Sequence, residues 1–321
     1  MKTDWNHLID NLFRGDRASL ARVITHVENR EPGWSDAMKR VSQNISPAHV
    51  IGITGSAGVG KSTLTSAVAN NLADRGYRIG ILAIDPSSPF QGGAFLGDRI
   101  RMQSANVRDE IFIRSMATRG ETGGLCQAAR DVVRLLKASG KTMVLIETVG
   151  TGQDEVDIHQ IVDCVCLVCA PGLGDGIQAL KAGIMEIASV FVVNKADREG
   201  SDTLAADILS MQRLSSDSES PAAPLYKTVA STGNGVDELV TGLLDRMNRN
   251  SRPDNRGHET VKAEIRYLLE KMSKDFLNRK LDESQILEQM IGHKKPEAVD
   301  PYTTAEELFQ RIFKHAAAPD H

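Results

Sequence analysis

The chain has 321 residues, 41% hydrophobic and 25% charged, which is ordinary for a folded, water-soluble protein and long enough to bury a full core. Its net charge of −4 gives no basic surface that would recruit nucleic acid or an anionic membrane, and no apolar run approaches the roughly 20 residues of a membrane span. Met1-Lys2-Thr3-Asp4-Trp5 has neither a secretory nor an organelle-transit character, and the sparse cysteines, Cys126, Cys164, Cys166 and Cys169, read as reduced thiols. A bacterial cytoplasmic location is therefore expected.

In chain order, residues from about Asp4 to Arg40 carry apolar side chains at helical spacing: Leu8, Ile9, Leu12 and Phe13, then Leu20, Val23, Ile24 and Val27 after a break at Gly15-Asp16. They are read as an N-terminal helical extension over residues 1–46, packed on the neighbouring domain. From Val50 the pattern becomes short apolar runs separated by helical segments, as in a parallel sheet covered on both faces. Seven strands are predicted: Val50 to Thr54, Arg78 to Asp85, Ile111 to Met116, Met143 to Glu147, Cys164 to Ala170, Val190 to Asn194 and Tyr226 to Ala230. Helices are expected over Ser62 to Arg75, Leu125 to Ala138, Ile177 to Ile187 and Thr203 to Leu214. The fold class is thus α/β, a doubly wound sheet over residues 47–250 that binds its ligand at the carboxyl ends of the strands. Beyond a loop at Asn248 to Gly257 the chain is helical again, over residues 251–321, with Ile265, Leu268, Leu269, Met272, Phe276 and Leu277 forming an apolar stripe that either folds back or pairs with a second copy.

The run Gly55, Ser56, Ala57, Gly58, Val59, Gly60, Lys61, Ser62, Thr63 has the phosphate-loop spacing, with a strand before it and a helix after it. Its glycines let backbone N–H groups turn inward while the helix directs its positive dipole end at the phosphates. Lys61 is expected on the β and γ phosphates, Ser62 on a magnesium ion and Thr63 on the α phosphate.

About 130 residues further on, directly after an apolar strand, stands Asn194-Lys195-Ala196-Asp197. It resembles the guanine-reading motif of GTPases, in which Asp197 would take the base's N1 and exocyclic amine and Lys195 would cover its face. Ser231, Thr232 and Gly233 fit the supporting backbone contact to the base, although Thr-Gly-Asn-Gly is also an ordinary turn. Acids at strand ends supply the metal side. Glu147 opens Glu147-Thr148-Val149-Gly150, where Ras-type enzymes have Asp-x-x-Gly, so that Glu147 would reach magnesium and the Gly150 N–H the γ phosphate. Asp85 and Asp98 are further candidates, Asp85 being also readable as a strand cap. Mg²⁺ keeps several waters, so Ser62, Asp98 and either Glu147 or Asp85 suffice, directly or through water.

Together, GSAGVGKST, AIDPSSPFQGGAFLGDRIRM, IETVGTGQ and APGLGDGIQALKAGIMEIASVFVVNKAD resemble the MeaB/ArgK/MMAA group of P-loop GTPases, chaperones of adenosylcobalamin-dependent acyl-CoA mutases. Arg14 to Arg22 and Asp300 to Ala305 resemble the group's terminal motifs, so the likeness spans nearly the whole chain. The resemblance implies Mg²⁺-dependent GTP hydrolysis to GDP and phosphate, with Asp98, Glu147 and Ser62 as the magnesium set and Arg101 meeting nucleotide phosphates. It implies a second switch at Gln153 to Asp157 and a third at Gly172 to Lys181. It also implies a homodimer and, as partners, a B12-dependent acyl-CoA mutase (methylmalonyl-CoA mutase or a sister enzyme) and a cobalamin adenosyltransferase. The third switch departs from the group: Gly176 and Ala182 replace an acid and a base.

Two rival readings remain: a nickel-delivering GTPase of the same superfamily, and a small-molecule P-loop kinase, against which the guanine motif argues. Alternation sends Cys164 and Cys166 to one face of a strand and Cys169 to the other, so the three are expected in the core rather than around one ion.

Overall fold

Aliphatic runs bounded by glycine and turn residues form one sheet. It comprises β1 (His49–Thr54), β2 (Ile79–Asp85), β3 (Ile111–Ala117), β4 (Met143–Thr148), β5 (Cys164–Cys169), β6 (Val190–Asn194) and β7 (Leu225–Thr228). The structure is a computed structural model that describes residues 3–85, 108–117, 124–148, 159, 161–172, 187–215, 222–250, 256–292 and 299–316. Strand order is β3-β2-β4-β1-β5-β6-β7 with every pairing parallel, so the sheet is the doubly wound α/β type. Each predicted strand is present, β6 with the expected ends and the others with an end moved by one or two residues. Strands β4, β5 and β6 are buried throughout, as expected of a sheet covered on both faces.

Side-chain alternation sorts the strands' residues into three clusters. Ile51, Ile53, Ile81 and Leu145 pack with helices α4 (Lys61–Asp74) and α7 (Val236–Asn250) on one face. Val50, Leu82, Val144 and Ile146 face the other way, into a cluster shared with α5 (Gly124–Ala138) and the N-terminal helices α1 (Trp5–Phe13), α2 (Arg17–Glu28) and α3 (Trp34–Ser42). Leu167, Cys169, Phe191 and Val193 pack with Leu204 and Ile208 of α6 (Ser201–Ser215).

The N-terminal extension is therefore part of this core. Leu12, Val23, Ile24 and Val41 are fully buried. The Arg14 to Arg22 stretch shows how the extension is fastened. Asp16 caps α2 by accepting from the Ser19 N–H at 2.7 Å, and hydrogen bonding from the Ser19 side chain, then from its backbone, holds the Asp16 carboxyl below the usual range. Arg17 donates to the carbonyls of Arg108 and Asp109 (3.3 and 3.0 Å) in the turn that feeds β3. Arg30 pairs with the buried Asp131 of α5 at 3.0 Å, and Arg114 on β3 pairs with Glu28.

The contacts divide the chain into two units, Met1–Arg252 and Pro253–His321. The second contains α8 (Arg256–Ser284), α9 (Ile286–Ile291) and α10 (Pro301–Ala316). On α8, Val261, Ile265, Leu269 and Met272 are more than half exposed and fall on one stripe beside an open groove of about 780 Å³. Among the described residues no helix is long and apolar enough to cross a membrane.

Candidate functional site

β1 is a central strand, flanked by β4 and β5, and the loop leaving its carboxyl end lies where open α/β sheets bind ligands. Backbone shape here depends on two glycines. Gly55 has φ +141°, and a Cβ there would stand 2.1 Å from the Val168 carbonyl oxygen of β5; at Gly60, with φ +95°, a Cβ would stand 2.5 Å from Asn194 Nδ2. The phosphate loop is thus seated directly against β5 and the start of the guanine motif, which is why side chains are excluded. Lys61 opens α4, is buried to 7% exposure, and its ammonium donates to the carbonyls of Gly55 (2.6 Å) and Ser56 (2.8 Å). Those bonds hold its charge over the loop.

Two of the candidate metal-side residues, Ser62 and Glu147, meet through sheet register. Parallel pairing sets Ile53 of β1 beside Glu147 of β4, at the same level as the loop. The Ser62 hydroxyl, on the first turn of α4, donates to Glu147 Oε1 at 2.5 Å, so two hard oxygen donors 85 residues apart in the chain share one point. Beside them the Thr148 hydroxyl donates to the Thr54 hydroxyl at 3.0 Å, a contact that no sequence motif signals.

Asn194 joins the guanine motif to everything around it. It is 2% exposed; its Nδ2 donates to the Val59 carbonyl at 2.9 Å, while its Oδ1 accepts from the Thr228 hydroxyl and the Ala230 N–H, each at 3.1 Å. One amide therefore ties phosphate loop, β6 and the turn after β7. Lys195, at φ +57°, stretches back over the loop and donates to the Gly58 carbonyl at 2.6 Å. Asp197 is exposed beside it, as are Ser231, Thr232 and Gly233 in the turn after β7. Thr63, Ser231 and Gly233 share the lining of a polar groove of about 410 Å³ between α4 and that turn. The roles of Val59 and Thr228 as partners of Asn194 were invisible in sequence, because a backbone carbonyl has no signature and Thr228 is one hydroxyl in a strand.

Several candidate residues lie elsewhere. The backbone of Asp85 ends β2, two strands from β1, but its side chain lies outside the described residues. Asp98, Arg101, Gly150, Gln153 to Asp157 and the third-switch positions after Gly172, including Gly176, Lys181 and Ala182, also lie outside them. His159 is exposed.

The cysteines divide as alternation requires: Cys164 and Cys166 pack towards α4 and α7, Cys169 towards α6. Burial pushes the Cys164 and Cys169 thiols up to about 11 and raises that of Cys166 as well, so all three are protonated, small apolar groups rather than thiolate ligands. Among the described residues no group of three His, Cys, Asp or Glu side chains is placed to hold a metal ion.

A phosphate loop on the central strand of a parallel sheet, joined to an Asn-Lys-x-Asp motif through Asn194, defines a P-loop GTPase. Residues 20–285 match the family described as methylmalonyl Co-A mutase-associated GTPase MeaB. A Pyrococcus horikoshii protein that carries the name of a GTPase is 40% identical over 316 residues, covering 96% of this chain and 98% of its own. The GTPase ArgK of Escherichia coli is 34% identical over 247 residues, 74% of each chain. The mitochondrial methylmalonic aciduria type A homolog of Caenorhabditis briggsae is 37% identical over 210 residues, 59% of this chain and 50% of its own. Among solved structures, that of a LAO/AO transport system kinase matches with a TM-score of 0.69 and 24% identity over 96% of this chain and 97% of its own, a likeness of fold. The chain belongs to the MeaB family and is a GTPase.

Proposed function

We propose that this protein is a Mg²⁺-dependent GTPase that acts as a chaperone of a B12-dependent acyl-CoA mutase, using its nucleotide cycle to gate loading, protection or reactivation of the mutase's cobalamin. The observation that carries the mutase half of this reading is the family match over residues 20–285, whose members are described as associated with methylmalonyl-CoA mutase. A relative that covers 59% of the chain is named for the corresponding disorder, methylmalonic aciduria.

The Ser62–Glu147 pair suits magnesium: a hydroxyl and a carboxylate, both hard oxygens, meet at the end of the phosphate loop, and Mg²⁺ takes one or two such ligands while keeping its waters. When bound, the ion would polarise the β and γ phosphates and neutralise the charge that builds on them. The chain's own residues do the rest. Lys61 places an ammonium at the loop mouth, the loop's N–H groups and the α4 dipole hold the phosphates, and Asn194 fixes the loop against the base site so that phosphate and guanine contacts form together. Selection of guanine over adenine falls to Asp197, with the Lys195 stem packed over the base. Asp98 and Arg101 keep the roles that the family resemblance implies for them, Gly150 its N–H on the γ phosphate, and Asp85 its place as an alternative to Glu147 on the magnesium.

The exposed α8 stripe supports a homodimer, since a row of four large apolar side chains on one helix is costly to leave in water. A cobalamin adenosyltransferase is a further partner in this reading, and the protein works without nucleic acid or membrane. GTP hydrolysis measured with and without a B12-dependent acyl-CoA mutase, together with gel filtration of the mixture, tests the proposal. A complex and a faster rate are expected; equal rates with no complex refute the chaperone role.

A further inference from the structure

The last two residues of β4 grip the phosphate loop from opposite faces of the sheet. Glu147 points to the α4 face and meets Ser62, just past the loop's last glycine. Thr148 points to the α5 face and donates its hydroxyl at 3.0 Å to Thr54, the residue before the loop's first glycine. Both threonines are 1% exposed, and the register that aligns Ile53 with Glu147 aligns them as the next pair. The loop is therefore bracketed, one bond at each end, by neighbouring residues of one strand. Thr54 also precedes Gly55, whose close seat against Val168 leaves the loop's start little freedom.

We propose that the Thr54–Thr148 hydroxyl pair is a positioning device for the metal side of the site: it locks the start of the phosphate loop to the strand end that carries Glu147, and so keeps the carboxylate on Ser62. The inference rests on the reading of Ser62 and Glu147 as the magnesium pair. Valine has the shape of threonine without its hydroxyl. A single Thr→Val change strands the other buried hydroxyl, whereas the double change removes both and restores an apolar contact. Fold stability and metal positioning therefore separate: stability should drop in each single variant and recover in the double one, while the lock is broken in all three.

The test is release of a fluorescent GDP analogue across a magnesium titration, with the melting temperature of the nucleotide-free protein measured in parallel. In Thr54→Val, Thr148→Val and the double variant, the Mg²⁺ concentration that half-maximally slows release should rise about three- to tenfold, the equivalent of one hydrogen bond. Release in EDTA should stay within about twofold of wild type, on the argument that the lock acts through the metal, and Thr148→Ser should restore the wild-type titration. Glu147→Gln serves as the reference. If it shifts the titration and the threonine variants do not, the positioning role is refuted and the magnesium pair stands. If the double variant recovers its magnesium response together with its melting temperature, the pair is only structural. If Glu147→Gln leaves the titration unchanged, the magnesium assignment falls and the inference with it.

Discussion

Replacing Asn194 by alanine puts the junction of the site to its strictest test. The side chain is 2% exposed and makes three hydrogen bonds of 2.9, 3.1 and 3.1 Å, to the Val59 carbonyl, the Thr228 hydroxyl and the Ala230 N–H. Truncation leaves all three partners in a region where the flanking residues are at most 8% exposed. A stranded buried group costs about 1–3 kcal/mol, and a water admitted to the vacated space can satisfy one of the three, so a loss of about 2–6 kcal/mol is expected. That is a large part of a typical domain stability of about 5–15 kcal/mol. Loss of the Val59 bond also frees the phosphate loop from β6, and ordering it again on binding should weaken GDP by about five- to tenfold. Urea unfolding of the nucleotide-free protein and titration with a fluorescent GDP analogue measure the two effects. Thr228→Val, which removes one donor and leaves the loop tether intact, should cost about 1 kcal/mol and shift GDP affinity by less than about twofold. A loss below about 1 kcal/mol in Asn194→Ala, with unchanged GDP affinity, would refute the account of Asn194 as the tie between loop, sheet and base site.

Gly55→Ala should abolish nucleotide binding or folding, because its Cβ would lie 2.1 Å from the Val168 carbonyl; Gly76→Ala, at φ +86° with nothing within 4 Å, should cost only about 1–2 kcal/mol by thermal unfolding. Lys141 gives a pH dependence. It is 7% exposed, donates to the Glu110 carbonyl at 3.1 Å, and burial, then the Arg17 and Arg78 charges, bring its pKa down to about 8 against the opposing pull of Glu110. Between about 8 and its unfolded value near 10.4 the unfolded chain binds the extra proton, so this group makes stability rise with pH. The stability difference between wild type and Lys141→Met should therefore move in favour of wild type by about 1–2 kcal/mol from pH 7 to pH 10, read as urea midpoints at each pH, after allowance for solvent screening.

Much of this molecule was legible because its signals are local. The short continuous apolar runs fixed seven strands to within one or two residues, since a strand buried on both faces tolerates little else. The phosphate loop and Asn194-Lys195-Ala196-Asp197 were legible because their chemistry demands particular residue types at fixed spacing. Even the division of the cysteines followed from a period of two along one strand. The helical stripe at the N-terminus was equally plain, but its destination was not: Leu12 and Val23 join the core formed with β2, β3, β4 and α5, some of whose residues lie more than a hundred positions away in the chain.

The sequence by itself determined the elements, the nucleotide class and the family, each of which is written in short runs of residues. Only the tertiary structure decided who touches whom. It placed Glu147 on Ser62 through the β1–β4 register, made Asn194 the tie between the Val59 carbonyl and the Ala230 N–H, and paired Thr54 with Thr148 inside the sheet. These contacts join residues 36 to 135 positions apart, and half of the partners are backbone groups that every residue carries. No spacing rule reaches them, because they depend on which strands lie side by side and on how far each is slid along its neighbour.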